Sequence, residues 1–499
     1  MPSIFPYLRH RYGPPVPPLS TIRSGGLPAD ERFRAPLLAE RPATMTGKSV
    51  TVVGAGFAGL TAATILYSMG FSVTVLEARA DVGGRVWSRT DICNGRVIEA
   101  GAELIGANHW NWLWLASYLG LGLSVLTSED QFAAARLEIP LKLKGRVLHG
   151  YEADKLFQEM DTVLRSISGD AQTIDAYEPW HSPGAQVWDT TSVAQRLGQL
   201  GVAPDSLLYA LLSADLSNNQ TLPIDQQSYL GLLALVRGGQ MGNDTMAYWT
   251  QTEVYRCATG NQSLAFALRD MITDFGVTVL TGTKVTAIDL TGPASVTITA
   301  GGSAYQSDYA VLAIPQPTWG DITITPPVPG SYQIATGPAV KYLSPVTSRF
   351  WVQPELAPTS ISDDLGMTWE GTDNQMLVVG QGLDLSVFAG GPCADAARKA
   401  PDKRAYFTAG LTSVYPDYAK HAASGFFIDW PAEPTIRCGY SCPSLGQVTT
   451  AAPQLAQLYQ NRLAFAGEHT VMAMFGYMEG AIKSGVLAAD RIKNAAGIN

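Results

Sequence analysis

Gly54, Gly56 and Gly59 stand at G-x-G-x-x-G spacing in the stretch Gly54-Ala55-Gly56-Phe57-Ala58-Gly59, and an acid, Glu77, follows about 20 residues later. These residue types at this spacing suit a dinucleotide. The first glycine permits a tight turn, the second lets backbone N–H groups approach a pyrophosphate, and the third lets a helix pack on a strand. Glu77 can accept hydrogen bonds from a ribose diol, and its charge disfavours a 2′-phosphate and hence NADP. Slightly further on, Arg79 and the Gly83-Gly84-Arg85 turn bring more backbone and a guanidinium toward a diphosphate.

For these residues to work together they must sit on a βαβ unit. Residues 48–53 read as a short apolar strand, 60–69 as a helix, and 71–76 as a second strand that Glu77 closes. The helix N-terminus beside Gly56 would then offer unpaired N–H groups and the positive end of its dipole. The stretches VVGAGFAGLTAA and VLEARADVGGRVWS resemble the flavin amine oxidases, which include monoamine oxidases, polyamine oxidases and L-amino acid oxidases. The resemblance implies FAD. It also implies an α/β architecture: a Rossmann-like FAD domain built from three segments, 48–107, 251–315 and 455–499, with an inserted α+β substrate domain from 108–250 and 316–454.

Residues 110–121, 151–168 and 263–275 have helical patterns, and most of 180–248 is helical. Residues 136–143, 146–149, 277–280, 284–290, 295–299, 309–314, 341–344, 375–380 and 425–429 read as strands. Residues 1–47 form a proline-rich arm, with Pro14, Pro15, Pro17 and Pro18 close together, that favours extended geometry and could reach a neighbour in a homodimer.

The chain has 499 residues and a net charge of −9, with a pI near 5.2, which argues against a non-specific nucleic-acid binder. Its length supports two or three domains. No long apolar run predicts a membrane span, and the N-terminus has no apolar core of a secretory signal, so a cytoplasmic location is expected. The five cysteines lack metal-ligand spacing; free thiols and no metal are expected.

The final segment carries the second strong signal. Residues 462–466 read as a strand leading into Gly467-Glu468-His469-Thr470, and Gly476-Tyr477-Met478-Glu479-Gly480 starts a helix. By resemblance, Gly467, Glu468 and Met478 contact the cofactor, and the helix N-terminus points at the flavin, where its dipole would stabilise negative charge on the reduced ring. Also by resemblance, Tyr440 and Tyr477 flank the substrate nitrogen as a pair of π faces. Family members with covalent FAD place a cysteine directly before the loop tyrosine; here that residue is Gly439, so non-covalent FAD is expected.

The family's oxygen-assisting lysine, placed after the Ile314-Pro315 turn, has no counterpart in Ile314 to Ile322, where Asp321 takes its position and Trp319 is a candidate substrate contact. Oxygen or another acceptor therefore stays open as the oxidant. Lys341 matches a different, structural lysine. An L-amino acid substrate needs a cation for its carboxylate, and Arg237 and Arg256 are candidates. Glu103 stands where some members carry that arginine, and could hold a second ammonium or pair within the fold. His109 and His469 read as satisfied structural histidines rather than general bases. The expected activity is FAD-dependent oxidation of L-amino acids, giving an imine, then a keto acid, ammonia and hydrogen peroxide. An amine or polyamine oxidase, or a flavin dehydrogenase, is the alternative.

Overall fold

The computed structural model describes residues 44–127, 129–375 and 382–498, together with 31, 32 and 34. The proline-rich arm lies almost wholly outside the described residues, as do positions 376–380 of the strand expected at 375–380.

A five-stranded parallel sheet forms the cofactor half. Its strands are β1 (Ser49–Val53), β2 (Ser72–Leu76), β3 (Thr278–Leu280), β4 (Tyr309–Leu312) and, after a long excursion, β6 (Leu463–Phe465), in the order β6-β4-β1-β2-β3. Strands buried on both faces need continuous apolar sequence, and Val50, Val52 and Val53 with Tyr309 to Leu312 supply it. α1 (Phe57–Ser68) follows β1 and is buried along almost its whole length. Against it lies α2 (Met478–Ala495), and a Cβ on Gly485 would stand 2.4 Å from the Ala58 carbonyl oxygen, so glycine lets these helices touch. Strand order reverses at β1, which leaves a crevice at the carboxyl ends of β1 and its neighbours, the usual ligand position in such sheets.

Between β3 and β4 a meander of 285–289, 296–300 and 303–307 joins 323–325 in a four-stranded sheet; the strands at 303–307 and 323–325 escaped the sequence reading. A seven-stranded sheet forms the other half. β5 (Ala339–Val346) pairs antiparallel with Leu383–Gly390 and Phe426–Asp429, and the far edge takes Leu141–Leu143 and Arg146–Leu148. A helical layer over 151–251 packs around its own core, with Trp249 and Tyr229 fully buried. All five cysteines are buried and unpaired, as expected. No helix among the described residues is long and apolar enough to cross a membrane.

Candidate active site

A long cavity runs from the carboxyl end of β1 to the two tyrosines. At its first end each glycine of the N-terminal run has a distinct environment. Gly54 has φ +101°, and a Cβ there would lie 2.7 Å from the Ala313 carbonyl oxygen. A Cβ on Gly59 would stand 1.9 Å from the Gly54 oxygen. On Gly56 a Cβ would meet only the Gly83 oxygen, at 4.0 Å, and on Gly84 only the Gly56 Cα, at 3.6 Å. Gly56 and Gly84 therefore border open space that the lack of side chains preserves.

The N-terminus of α1 has no side-chain cap and no acid in its first turn, so its N–H groups remain available at that space. Glu77 closes the cavity at the end of β2. Its carboxylate accepts from Ala55 N–H at 2.7 Å and Arg79 N–H at 2.8 Å, while burial pushes its pKa up against those bonds. Arg79 donates to the Gly84 carbonyl at 2.8 Å and fixes the second glycine turn, and Gly83 N–H docks that turn on the Ala55 oxygen at 3.0 Å. Arg85 lines the cavity beyond. Gly467, at φ +138°, and Met478, the first residue of α2, complete this wall, and the α2 N-terminus also lacks a side-chain cap. Its first-turn acid, Glu479, turns away to accept from Asn111 and Trp112. Two uncapped helix ends, a glycine cradle and a carboxylate at the strand tip fit an FAD.

Tyr440 and Tyr477 both line the far end. The Tyr440 hydroxyl donates to the Asn219 carbonyl at 2.9 Å, and the Tyr477 hydroxyl meets that of Tyr248 at 3.4 Å. Burial holds both phenols far above the usual range, so both rings are neutral. Tyr248 was not singled out from sequence, because its partner lies 229 residues away. Leu104 and Glu253 line both this end and an adjoining second cavity that Arg349 and Glu370 also border.

Each of the four substrate candidates is engaged within the fold. Glu103 borders the cavity, but its carboxylate accepts from Arg256 Nε at 2.7 Å, Lys341 Nζ at 2.7 Å and Trp369 Nε1 at 2.8 Å. It is committed inside the fold, and those two cations hold its pKa near 2 despite burial. Arg256 is spent on Glu103 and Asp373 and borders only the second cavity. Arg237 bonds Gln172 and Gln240 and does not line the cavity. Trp319 stacks on Phe465 at 5.1 Å, donates to the Ile314 carbonyl and belongs to the core beneath.

Lys341, read from sequence as a structural residue, is bound within the fold through Glu103 and also lines the cavity, as Lys284 does at the rim. Lys341 projects from β5, is 5 % exposed, donates to the Glu99 carbonyl at 2.9 Å and lies 5.3 Å from the Trp369 ring. Asp321 instead pairs with Arg437, at 2.8 and 2.9 Å, and with Lys284 at the rim. His109 accepts from Gly106 N–H at its Nδ1, at 2.9 Å, but the buried Nε2 of His109 and that of His469 have no partner among the described residues. Burial lowers their pKa values to about 3 and about 4, so both are neutral. The His109 ring packs edge-on against Tyr477 at 5.4 Å, and His469 lines the cavity.

The profile of the family described as flavin containing amine oxidoreductase matches residues 57–493. Amine oxidase [flavin-containing] B of Canis lupus familiaris is 26 % identical over 489 residues, covering 91 % of this chain and 88 % of its own. The Homo sapiens protein of that name is 26 % identical over 477 residues, covering 90 % and 86 %. Among solved structures, a double mutant of putrescine oxidase superposes with a TM-score of 0.77 at 22 % identity, covering 90 % of this chain and all of its own. Cyclohexylamine oxidase from Brevibacterium oxydans IH-35A matches with the same TM-score and identity, covering 90 % and 99 %.

Proposed function

The chain belongs to the flavin containing amine oxidoreductase family, and from that premise we propose that it oxidises primary amines lacking a carboxylate at the carbon that reacts. The overall change is R–CH2–NH2 + O2 + H2O giving R–CHO + NH3 + H2O2. FAD, when bound, would accept the hydride from the amine-bearing carbon. The glycine turns at 54–59 and 83–85, with Glu77 and the N-termini of α1 and α2, would hold it. Tyr440 and Tyr477 flank the substrate nitrogen and orient it by their π faces. Their buried setting favours the neutral amine, whose lone pair the reaction needs. We assign 48–107, 251–315 and 455–499 to the cofactor half, and 108–250 and 316–454 to the half that shapes the substrate end.

The observation that carries this reading is the state of the cations. An L-amino acid, the substrate expected from sequence, requires one for its carboxylate. Arg256 is bound to Glu103 and Asp373, Arg237 lies outside the cavity, and the cations that line it are engaged: Lys341 with Glu103, Arg85 with Glu468, Arg79 with the Gly84 carbonyl and Lys284 with Asp321. Lys341 also supports oxygen as the acceptor: its charge is paired with Glu103, but with Glu103 and the Glu99 carbonyl taking two N–H groups a third remains to donate to reduced oxygen at the cavity wall. The test is to mix the flavin-loaded protein anaerobically with monoamines, diamines and L-amino acids and to follow loss of flavin colour. Bleaching by amines but not by amino acids is expected. Bleaching by amino acids alone would overturn the reading. Admitting oxygen and measuring peroxide then separates an oxidase from a dehydrogenase.

A further inference from the structure

One carboxylate holds the loops that carry both tyrosines. Glu468 lies just past β6 and is 4 % exposed. Its Oε1 accepts from Arg85 Nη1 at 2.7 Å and from Ser441 N–H at 3.2 Å. Its Oε2 accepts from the Ser441 hydroxyl and from Gly476 N–H at 2.7 Å. Ser441 directly follows Tyr440, and Gly476 directly precedes Tyr477. The two loops touch: a Cβ on Gly476, where φ is +79°, would stand 3.0 Å from the Tyr440 ring. The fourth donor, Arg85, comes from the glycine turn at the cofactor end.

Four donors thus converge on one side chain, and only an ionised carboxylate can accept from all four. Burial opposes the charge, but the Arg85 guanidinium and the hydroxyl of Ser441 outweigh it and hold the group ionised. We propose that Glu468 is the positioning residue of the amine cage. It sets the spacing and facing of the Tyr440 and Tyr477 rings, and through Arg85 it ties that geometry to the turn that would hold the cofactor's diphosphate. The proposal rests on the reading of these tyrosines as the cage.

Glu468→Gln keeps the size but turns one acceptor into a donor facing other donors. Two readouts apply to the flavin-loaded protein. The first is the change in flavin absorbance when benzyltrimethylammonium binds, a cation that suits a π cage but has no N–H and is not expected to be oxidised. The second is the anaerobic bleaching rate with a primary amine. With flavin supplied in excess, Glu468→Gln should lose the absorbance change and bleach about 100-fold more slowly, as expected for misplacement by about 1 Å. Ser441→Ala, which removes one of the four bonds, should give a smaller loss of the same kind and serves if Glu468→Gln fails to fold. In a Tyr440→Ala background, where the cage is already broken, Glu468→Gln should add less than about threefold, because residues acting as a unit are not additive. A wild-type absorbance change in Glu468→Gln, or in Ser441→Ala if the former does not fold, would overturn the proposal. So would fully multiplied losses in the Tyr440→Ala background. Failure of the wild-type protein to bleach with any amine would instead sink the functional reading, while the benzyltrimethylammonium signal would still test Glu468.

Discussion

Gly56→Ala and Gly59→Ala should separate cofactor binding from folding. At Gly56 the backbone has φ −77° and ψ −178°, which any residue adopts, and the nearest atom to an added Cβ is 4.0 Å away. The apoprotein should therefore keep its stability within about 0.5 kcal/mol. The new methyl does occupy the space beside the α1 N-terminus where a pyrophosphate would approach. Overfilling of that kind costs about 1–3 kcal/mol, so flavin should bind roughly 5- to 150-fold more weakly. At Gly59 an added Cβ would stand 1.9 Å from the Gly54 oxygen, and backbone cannot yield as a flexible side chain can. Alanine would by propensity favour the helix by about 1 kcal/mol, but α1 must move by over an ångström to admit it. A loss at or above about 3 kcal/mol is expected even without flavin. Apoprotein melting measures the first quantity and titration with flavin the second. Equal melting losses for the two variants, or wild-type flavin affinity for Gly56→Ala, would refute the assignment of roles.

Acid precipitation of the holoprotein should leave the colour in the supernatant, because Gly439 precedes Tyr440; a yellow pellet would contradict non-covalent binding. Lys341→Met should leave anaerobic bleaching within about threefold of wild type while slowing reoxidation by oxygen at least tenfold, read by stopped-flow; equal slowing of both phases would remove the oxygen role of Lys341. Melting temperature should fall on both sides of a mildly acidic maximum. Glu103, His109 and His469 have folded pKa values of about 2, about 3 and about 4, below their ordinary values. Their contribution is present above the unfolded values and is lost as pH falls through the folded ones. Burial raises Glu99 and Asp384 to about 7, so their contribution is lost as pH rises toward and past that value. Glu99→Gln should flatten the alkaline limb, and an unchanged limb would exclude Glu99 as its source.

The cofactor end was legible because its logic is local. Gly54, Gly56, Gly59 and Glu77 act through one strand, turn, helix and strand, and a turn's demand for glycine is visible in the chain. The substrate end was less legible for the opposite reason. Glu103 meets Lys341 and Arg256 across 238 and 153 residues, so nothing near Glu103 in sequence shows that it is already satisfied. Arg237 and Arg256 were chosen for their chemistry, which an ion pair and a ligand site share. That Lys341 also lines the cavity depends on which strand faces it, and nothing in the residues around Lys341 shows that. Trp319 lies in a cavity-bordering segment but points its ring into the core.

The strand order has a consequence for truncation. β1 emerges among the first residues of the sheet, yet one flank waits for β4, and the edge beyond waits for β6. Glu468, Tyr477 and the whole of α2, which covers α1, lie in the same late stretch. A chain lacking everything from residue 463 onward exposes the face of α1 that α2 covers and lacks Gly467, Glu468, Tyr477 and Met478 of the cavity wall. The stretch from β6 through α2 therefore completes the sheet edge, the cover over α1 and the tyrosine end of the cavity together, and its loss would undo all three at once.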